Sequence, residues 1–174
     1  LLDKFVLQLG EQPAADQQAI AEVKPSIAVL PFVNMSDDKE NEYFSDGLSE
    51  EIRNQLAAVP GLKVAARTSS FAFKGRHEDA REIGRRLNVA AILEGGVRKH
   101  AGVVRISLQL VSTADGYQVW SEHYERQLED IFRLQREIAA AVTQVVTPLS
   151  AATTPSNVTA PAAMVETYVM LKPR

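Results

Sequence analysis

Cysteine is absent from the 174 residues of this sequence, so disulfides, thiolate metal sites and cysteine nucleophiles are excluded. The net charge is -3, which argues against a general nucleic-acid binder, because such proteins need a basic face to neutralise phosphates. No run of about 18 apolar residues is present, so the sequence holds no complete membrane span. What is there is an ordinary globular composition, with 45% hydrophobic and 24% charged residues.

The local motifs of the common enzyme classes are also missing. The sequence has no G-x-x-x-x-G-K-[ST] phosphate loop, no G-x-G-x-x-G turn, no G-x-S-x-G elbow and no H-E-x-x-H pair. The three histidines, His77, His100 and His123, fall at a predicted helix start, a hairpin turn and a strand, and nothing in the pattern joins them into a metal site. The sequence therefore predicts a module that is not an enzyme, with no catalytic residues and no metal or cofactor.

The first half of the sequence alternates between strand and helix patterns. Residues 26–33 form a continuous apolar run, which predicts a strand covered on both faces, with Pro31 near its end. A helix is predicted over about 40–58, since Phe44, Leu48, Ile52 and Leu56 recur every fourth residue. A short strand at 62–66 follows, then an irregular segment at 67–75, a second helix at about 77–87 and a strand that starts at 89.

The second half reads as an antiparallel meander closed by a helix. The strand from 89 continues past Gly95 and Gly96, interpreted as a bulge rather than a phosphate loop, and reverses at residues 100–102. Apolar and polar residues alternate over 104–110, a turn lies at 114–116, and a strand returns over 117–124. A third helix is predicted at about 128–147, stopped by Pro148. The expected fold is α/β (α+β mixed), with about five strands in a mixed sheet, three helices and the order β-α-β-α-β-β-β-α.

Composition divides the chain into three parts. Residues 1–23 read as a membrane-proximal tail and linker, residues 24–148 as the α/β domain, and residues 149–174 as a second linker and the start of a helical region. Residues 1–7 are open to two interpretations, the end of a membrane helix or an ordinary amphipathic tail.

Two polar clusters are candidate binding sites. Arg67, Thr68, Ser69 and Ser70 follow a predicted strand, where α/β sheets usually bind ligands, and could hold an anion; ordinary turn formation is the simpler interpretation. The acids between Asp37 and Asp46 could bind a cation, but they are better explained as charges that stabilise a helix N-terminus.

The strand at 117–124 offers a candidate partner surface. Gln118, Trp120, Glu122 and Tyr124 are expected on one of its faces, and Trp120, Glu122 and Tyr124 are the predicted partner-binding residues. Aromatic side chains dominate binding hot spots, which supports a partner surface. A core position for Trp120 beneath the third helix is the competing interpretation, and the favoured one.

Several segments together resemble the TolB amino-terminal-like domain. They are residues 26–38, 42–51, 64–71, 92–98, 120–126 and 130–132, in the same order, so that the resemblance covers about 24–147. This version of the domain is found in bacterial adenylate-cyclase-like and winged-helix regulatory proteins that carry tetratricopeptide repeats. The resemblance implies a mixed α/β fold without catalytic residues.

The same resemblance implies a location and a function. In such proteins an output domain and a membrane helix precede this domain, so a membrane anchor is expected before Leu1. The expected location is the periplasmic face of the inner membrane, with a cytoplasmic location as the alternative. The leading hypothesis is a sensory or protein-interaction module of a membrane-anchored signalling protein, whose partner is another protein or a second copy, and which binds no nucleic acid. A small-ligand domain that binds an anion or nucleotide near Arg67 is the alternative.

Overall fold

The computed structural model of the protein describes residues 24–151. The strands in this range are β1 (Ser26–Val29), β2 (Val33–Asn34), β3 (Lys63–Val64), β4 (Ala91–His100), β5 (Val103–Ser112) and β6 (Gln118–Gln127). The helices are α1 (Asn41–Ala57), α2 (Arg67–Phe71), α3 (Ala80–Leu87) and α4 (Ile131–Ala151), the last preceded by a 3-10 turn at Leu128–Asp130. The mixed α/β fold expected from the sequence is confirmed.

The six strands form one mixed sheet in the order β3-β1-β4-β5-β6, with β2 also paired to β4. The pairs among β1, β2, β3 and β4 are parallel, and β4, β5 and β6 form an antiparallel meander. β1 and β2 lie along the same side of β4, opposite Ala91 and Gly96 respectively, so they are two halves of one interrupted strand. Pro31 lies in the interruption, where it has no N–H to donate. This break accounts for a sixth strand where about five were expected.

Both layers of the core follow the predicted apolar stripes. The larger core lies between the sheet, α1 and α4, and includes Leu48, Ile52 and Leu56 from the predicted stripe of α1. A smaller core on the opposite sheet face joins Phe73 and Ile83 to strand residues such as Ile92.

Three local predictions were wrong. Residues 67–71 form α2 and are not irregular. Pro148 lies inside α4, because Leu149 packs against the larger core and holds the turn beyond the proline. Gly95 and Gly96 form no bulge, since β4 keeps an unbroken register opposite β5 there. Glycine is needed at 95 for close packing instead, because a Cβ there would lie 2.8 Å from the Ser107 carbonyl oxygen.

The first hairpin of the meander and the end of α3 have the expected backbone geometry. Ala101 and Gly102 have φ angles of 48° and 77°, which match the tight hairpin predicted between β4 and β5. Asn88 ends α3 in the left-handed conformation, as its position predicted.

Part of the predicted domain organisation lies outside the described residues. This holds for the membrane-proximal tail at 1–23 and for the helical region expected near the end of the chain. Within residues 24–151, no helix is both long and apolar enough to cross a bilayer.

Candidate functional site

The two faces of the sheet are covered unequally. α1 and α4 cover one face, and the side chains of β4, β5 and β6 that point towards them are mostly buried in the larger core. Among residues 24–151, α3 and Phe73 cover only one end of the other face. On the uncovered remainder, β4, β5 and β6 display polar side chains, which leaves an open cleft.

The open cleft has a volume of about 500 Å³, within the range of small-molecule sites. One wall is residues 30–33, which interrupt the β1–β2 strand, and the other is residues 73–77, which follow α2. Its floor carries the side chains of Glu94, Ser107, Gln109, Gln118, Ser121 and His123. The cleft therefore combines a polar floor with walls from distant parts of the chain.

Several polar side chains of the cleft form hydrogen bonds with one another. The Gln109 Nε2 group donates to Glu94 Oε2 at 2.8 Å, and His123 Nδ1 lies 3.0 Å from Ser107 Oγ. His77 also lines the cleft, so the fold brings together two histidines that the sequence pattern did not connect. No three potential metal-ligating side chains are grouped within residues 24–151.

Lys74 fixes one wall of the cleft to α1. Its ammonium contacts Asp46 Oδ2 at 2.6 Å and Glu42 Oε1 at 2.9 Å. Hydrogen bonds to these two carboxylates, first Asp46 and then Glu42, raise the pKa of Lys74. Two acids of the predicted cluster thus hold a lysine, and Glu42 also lies in the first turn of α1, where a negative charge is favourable.

β6 is a ten-residue strand at the edge of the sheet. The Leu128 N–H donates to the Gly102 carbonyl, so even-numbered residues of this strand are expected to bond to β5. The N–H and C=O groups of the odd-numbered residues Ser121, His123 and Glu125 then point away from the sheet. Within residues 24–151 no strand pairs with this outer edge, and we call it the β6 edge.

The three predicted partner-binding residues lie on β6 but differ in burial. Trp120 and Tyr124 are half-buried and pack against the larger core, opposite Leu110 and Ile106. Glu122 is exposed between them. Burial is the main cause of a raised pKa at Tyr124, and the negative charge of Glu122 adds to it. Trp120 thus packs against the core but is only half-buried, so the favoured core position is observed in part. Partner binding by this strand stays a prediction.

Gln118 does not share the face of Trp120, contrary to expectation. The register shifts between Leu110 and Val111, so that Leu110 faces Trp120 whereas Val111 faces Gln118. The irregularity leaves Val119 as an extra residue and brings Gln118 into the open cleft with Ser121 and His123. Strict alternation could not reveal it.

The predicted ligand-binding residues form α2. The Arg67 guanidinium pairs with Glu50 at 3.0 Å and lies 4.3 Å from the centre of the Phe71 ring. Thr68 and Ser69 are exposed, whereas Ser70 is fully buried and its hydroxyl has no hydrogen-bond partner. The anion site remains a prediction, and an anion there would compete with Glu50 for Arg67.

Comparison with known proteins identifies the family. The model of the HilA/YgeH-like transcriptional regulator, second domain, matches residues 23–141. The chain belongs to this family. The match spans all the described strands and about the first half of α4, so the open cleft and the β6 edge both lie inside the family domain.

A relative of this regulator domain occurs in a much longer protein. The protein of Rhizobium meliloti (strain 1021) named "Putative adenylate cyclase 3" is 47% identical over 129 residues. The match covers 74% of this chain and 22% of the relative, so the chain spans about a fifth of that protein.

Two solved structures show the same fold at low sequence identity. TolB from Acinetobacter baumannii has a TM-score of 0.54 and 16% identity, over 71% of this chain and 28% of TolB. Lipoprotein GNA1162 from Neisseria meningitidis has a TM-score of 0.51 and 19% identity, over 70% of this chain and 96% of the lipoprotein. The resemblance to TolB is therefore confirmed for the regulator domain at the level of the fold.

The sequence signalled only part of this site. Alternation of Arg105, Ser107 and Gln109 indicated a solvated strand face, which the structure confirms. It could not indicate that residues 73–77 would wall that face, because the contact joins distant segments. The position of β6 at the edge of the described sheet was also missed, since strand order is not visible in a pattern of single strands.

Proposed function

We propose that this regulator domain is a non-catalytic protein-interaction module of a membrane-anchored bacterial signalling protein, and that it docks its partner along the β6 edge. The observation that carries the proposal is a ten-residue edge strand without a neighbour on its outer side among the described residues. Unpaired N–H and C=O groups on such a strand bind an added strand by main-chain hydrogen bonds, while alternate side chains select the partner.

The side chains of β6 support specific rather than indiscriminate docking. The exposed Glu122, His123 and Glu125 interrupt the strand with charged or polar groups, which oppose aggregation through an edge. The Trp120 ring packs on the larger core and supports the strand from beneath. A partner strand must therefore match a charge pattern.

Docking at the edge is tested with photoreactive residues placed one at a time in the full-length protein in cells. Substitutions at His123 and Glu125 should give adducts of discrete mass, whereas Glu51, exposed on α1, serves as the matched control. The change Ser121→Pro removes an outward N–H and should weaken the adduct at Glu125 without unfolding the domain. Equal adducts at Glu51, or none at β6, would contradict the proposal.

The larger setting is part of the same proposal. The family description names a regulator, and the Rhizobium relative is named as a cyclase, which supports an output domain of cyclase-like or winged-helix type on the same chain. We also propose that the full-length protein carries tetratricopeptide repeats and a membrane anchor before Leu1. The domain would then lie in the periplasm.

The location is tested by labelling an introduced cysteine. Glu51→Cys places a thiol on the exposed side of α1. A membrane-impermeant maleimide should label it in cells whose outer membrane is permeabilised, above the level of the unsubstituted protein. Labelling only after the inner membrane is broken would establish a cytoplasmic location.

One observation favours the alternative, a small-ligand domain at α2. The Ser70 hydroxyl is buried without a hydrogen-bond partner, and such a group is normally satisfied. Phosphates, nucleotides and organic acids should then raise the melting temperature of the wild type but not of Arg67→Ala. No shift, or equal shifts in both, would eliminate this site.

A further inference from the structure

We infer that the partner of the β6 edge is the β6 edge of a second copy, paired antiparallel with Tyr124 on the two-fold axis. This inference rests on the proposed function and names its partner. An antiparallel pair around a two-fold axis normal to the sheet keeps the same faces on the same side. Each residue of one β6 therefore lies opposite a residue of the other β6 whose side chain points to the same sheet face. The axis must then run midway between the two copies of one residue, which we describe as the residue on the axis.

Charge decides which residue lies on the axis. With Tyr124 on the axis, Glu122 meets Arg126 of the second copy, and His123 meets Glu125 of the second copy. Each contact occurs twice, and no like charges are opposed. Opposite-charge pairs directly across a sheet stabilise it, whereas like charges destabilise it.

The neighbouring registers lack this match. An axis through Glu122 or Glu125 places a carboxylate directly opposite its own copy. An axis through His123 places Glu122 opposite Tyr124 and forms no ion pair. Among axes through residues 122–125, only the one through Tyr124 pairs opposite charges.

The backbone of the edge fits the same register. His123 and Glu125 are odd-numbered, so their N–H and C=O groups point outward and can be exchanged between the copies. Tyr124, bonded to β5, would occupy a non-hydrogen-bonded pair, in which the two Cα atoms are about 4.5 Å apart. The two half-buried rings then meet at the axis.

The charges that would pair already have partners within the chain. Glu125 Oε2 lies 2.6 Å from Arg105 Nε, and Arg126 Nη2 lies 3.2 Å from Glu137 Oε2. Their side chains nevertheless remain 59% and 42% exposed. Pairing of two β6 edges would therefore extend each of these two ion pairs into a network of charges. The intrachain contacts already restrict the side chains that would form it.

The register is tested by cysteine scanning, because the 174-residue chain has no cysteine of its own. Tyr124→Cys should give a disulfide-linked dimer under mild oxidation, since its Cα separation suits a disulfide. His123→Cys and Glu125→Cys are matched controls whose equivalent atoms lie about 7–8 Å apart on a diagonal, so they should cross-link far more slowly. If Tyr124→Cys fails to fold, the exposed double variant His123→Cys/Glu125→Cys tests the same register. Faster linkage at 123 or 125 alone would overturn it.

The charge pattern is tested by sedimentation equilibrium at low salt. Glu122→Arg and Arg126→Glu should each weaken self-association at least about tenfold, because both copies then oppose like charges. An equal mixture of the two variants should recover association, since every pair is again opposite. Glu51→Arg on α1 is the control and should change nothing.

The outcomes separate this inference from the proposed function. A wild-type chain that stays monomeric at every soluble concentration overturns homotypic pairing. Photoreactive residues at β6 that then capture a different protein would leave the interaction function standing. Adducts at twice the mass of the protein, together with recovery in the mixture, support a second copy as the partner.

Discussion

Adjacent glycines in β4 should respond very differently to the same added methyl group. At Gly95 a Cβ would lie 2.5 Å from Leu108 Cδ2 and 2.8 Å from the carbonyl oxygen of Ser107. Leu108 is only 2% exposed and the carbonyl belongs to β5, so neither can withdraw cheaply. At Gly96 the Cβ would meet the side chain of Met35, which is 50% exposed and flexible.

The expected magnitudes follow from these contacts. Overpacking a filled site costs about 1–3 kcal/mol, while replacing a strand glycine recovers about 0.5–1 kcal/mol of unfolded-state entropy. Gly95→Ala should therefore destabilise the domain by about 1–2 kcal/mol. Gly96→Ala should lie within about 0.5 kcal/mol of the wild type or be slightly stabilising, because Met35 can move.

Urea unfolding followed by circular dichroism measures both free energies, and melting curves provide an independent check. Gly95→Ala should lower the melting temperature by about 2–8 °C, with an unchanged urea m-value. Equal stability of the two variants would show that the close approach of β4 to β5 does not constrain residue 95. A larger loss for Gly96→Ala would refute the reasoning altogether.

Three further predictions concern other contacts. Trp120→Ala should cost about 1–3 kcal/mol in urea unfolding, less than for a fully buried ring, and Trp120→Phe should restore most of it. Gly84→Ala should destabilise despite a better helix propensity, because its Cβ meets the Cβ of Thr113. The double variant Gly84→Ala/Thr113→Gly should lose less than the sum of the two single losses, because glycine at 113 removes that Cβ. A hydrogen bond from the Arg81 side chain, followed by its backbone N–H, lowers the pKa of Asp79 to about 2. Because the folded pKa is below the ordinary 3.8, Asp79 stabilises the fold above about pH 4 and loses this effect towards pH 2. The melting-temperature difference between the wild type and Asp79→Ala should shrink over that range.

Local periodicity was enough to predict most of the fold. The fourfold spacing of Leu48, Ile52 and Leu56 located α1 to within one residue at each end, since one buried stripe specifies both the helix and its face. Alternation over 104–110 located β5, and each of its apolar residues is buried. These elements were predictable because the spacing of apolar residues within each segment is enough to specify its type and its buried face.

The errors arose where distant contacts override local preference. Leu149 packs on the larger core and carries α4 past Pro148, against the usual effect of proline. The segment at 67–71 becomes helical although its Ser and Thr residues favour turns, and there Ser70 is buried and Arg67 binds Glu50. The residues within either segment do not indicate which distant part of the chain it will contact.

The candidate site depends on strand order, which a linear pattern does not contain. His77 and His123 both line the open cleft only because the segment after α2 returns to the sheet. Gln118 joins them only because the register shifts opposite Val111. The sequence could therefore supply the polar residues of this site but not their arrangement.

The topology of the sheet explains why docking is assigned to β6 and not to the opposite edge. β3, at that edge, has only two residues, Lys63 and Val64, and short edge strands are one way in which proteins avoid edge-to-edge pairing. β6 has ten residues and an unpaired outer side in the described part of the chain. A strand of that length that carries both acidic and basic side chains can pair in one register without becoming generally adhesive, because slipped registers lose the ion pairs or oppose like charges. The same charges that protect the edge would then select its partner.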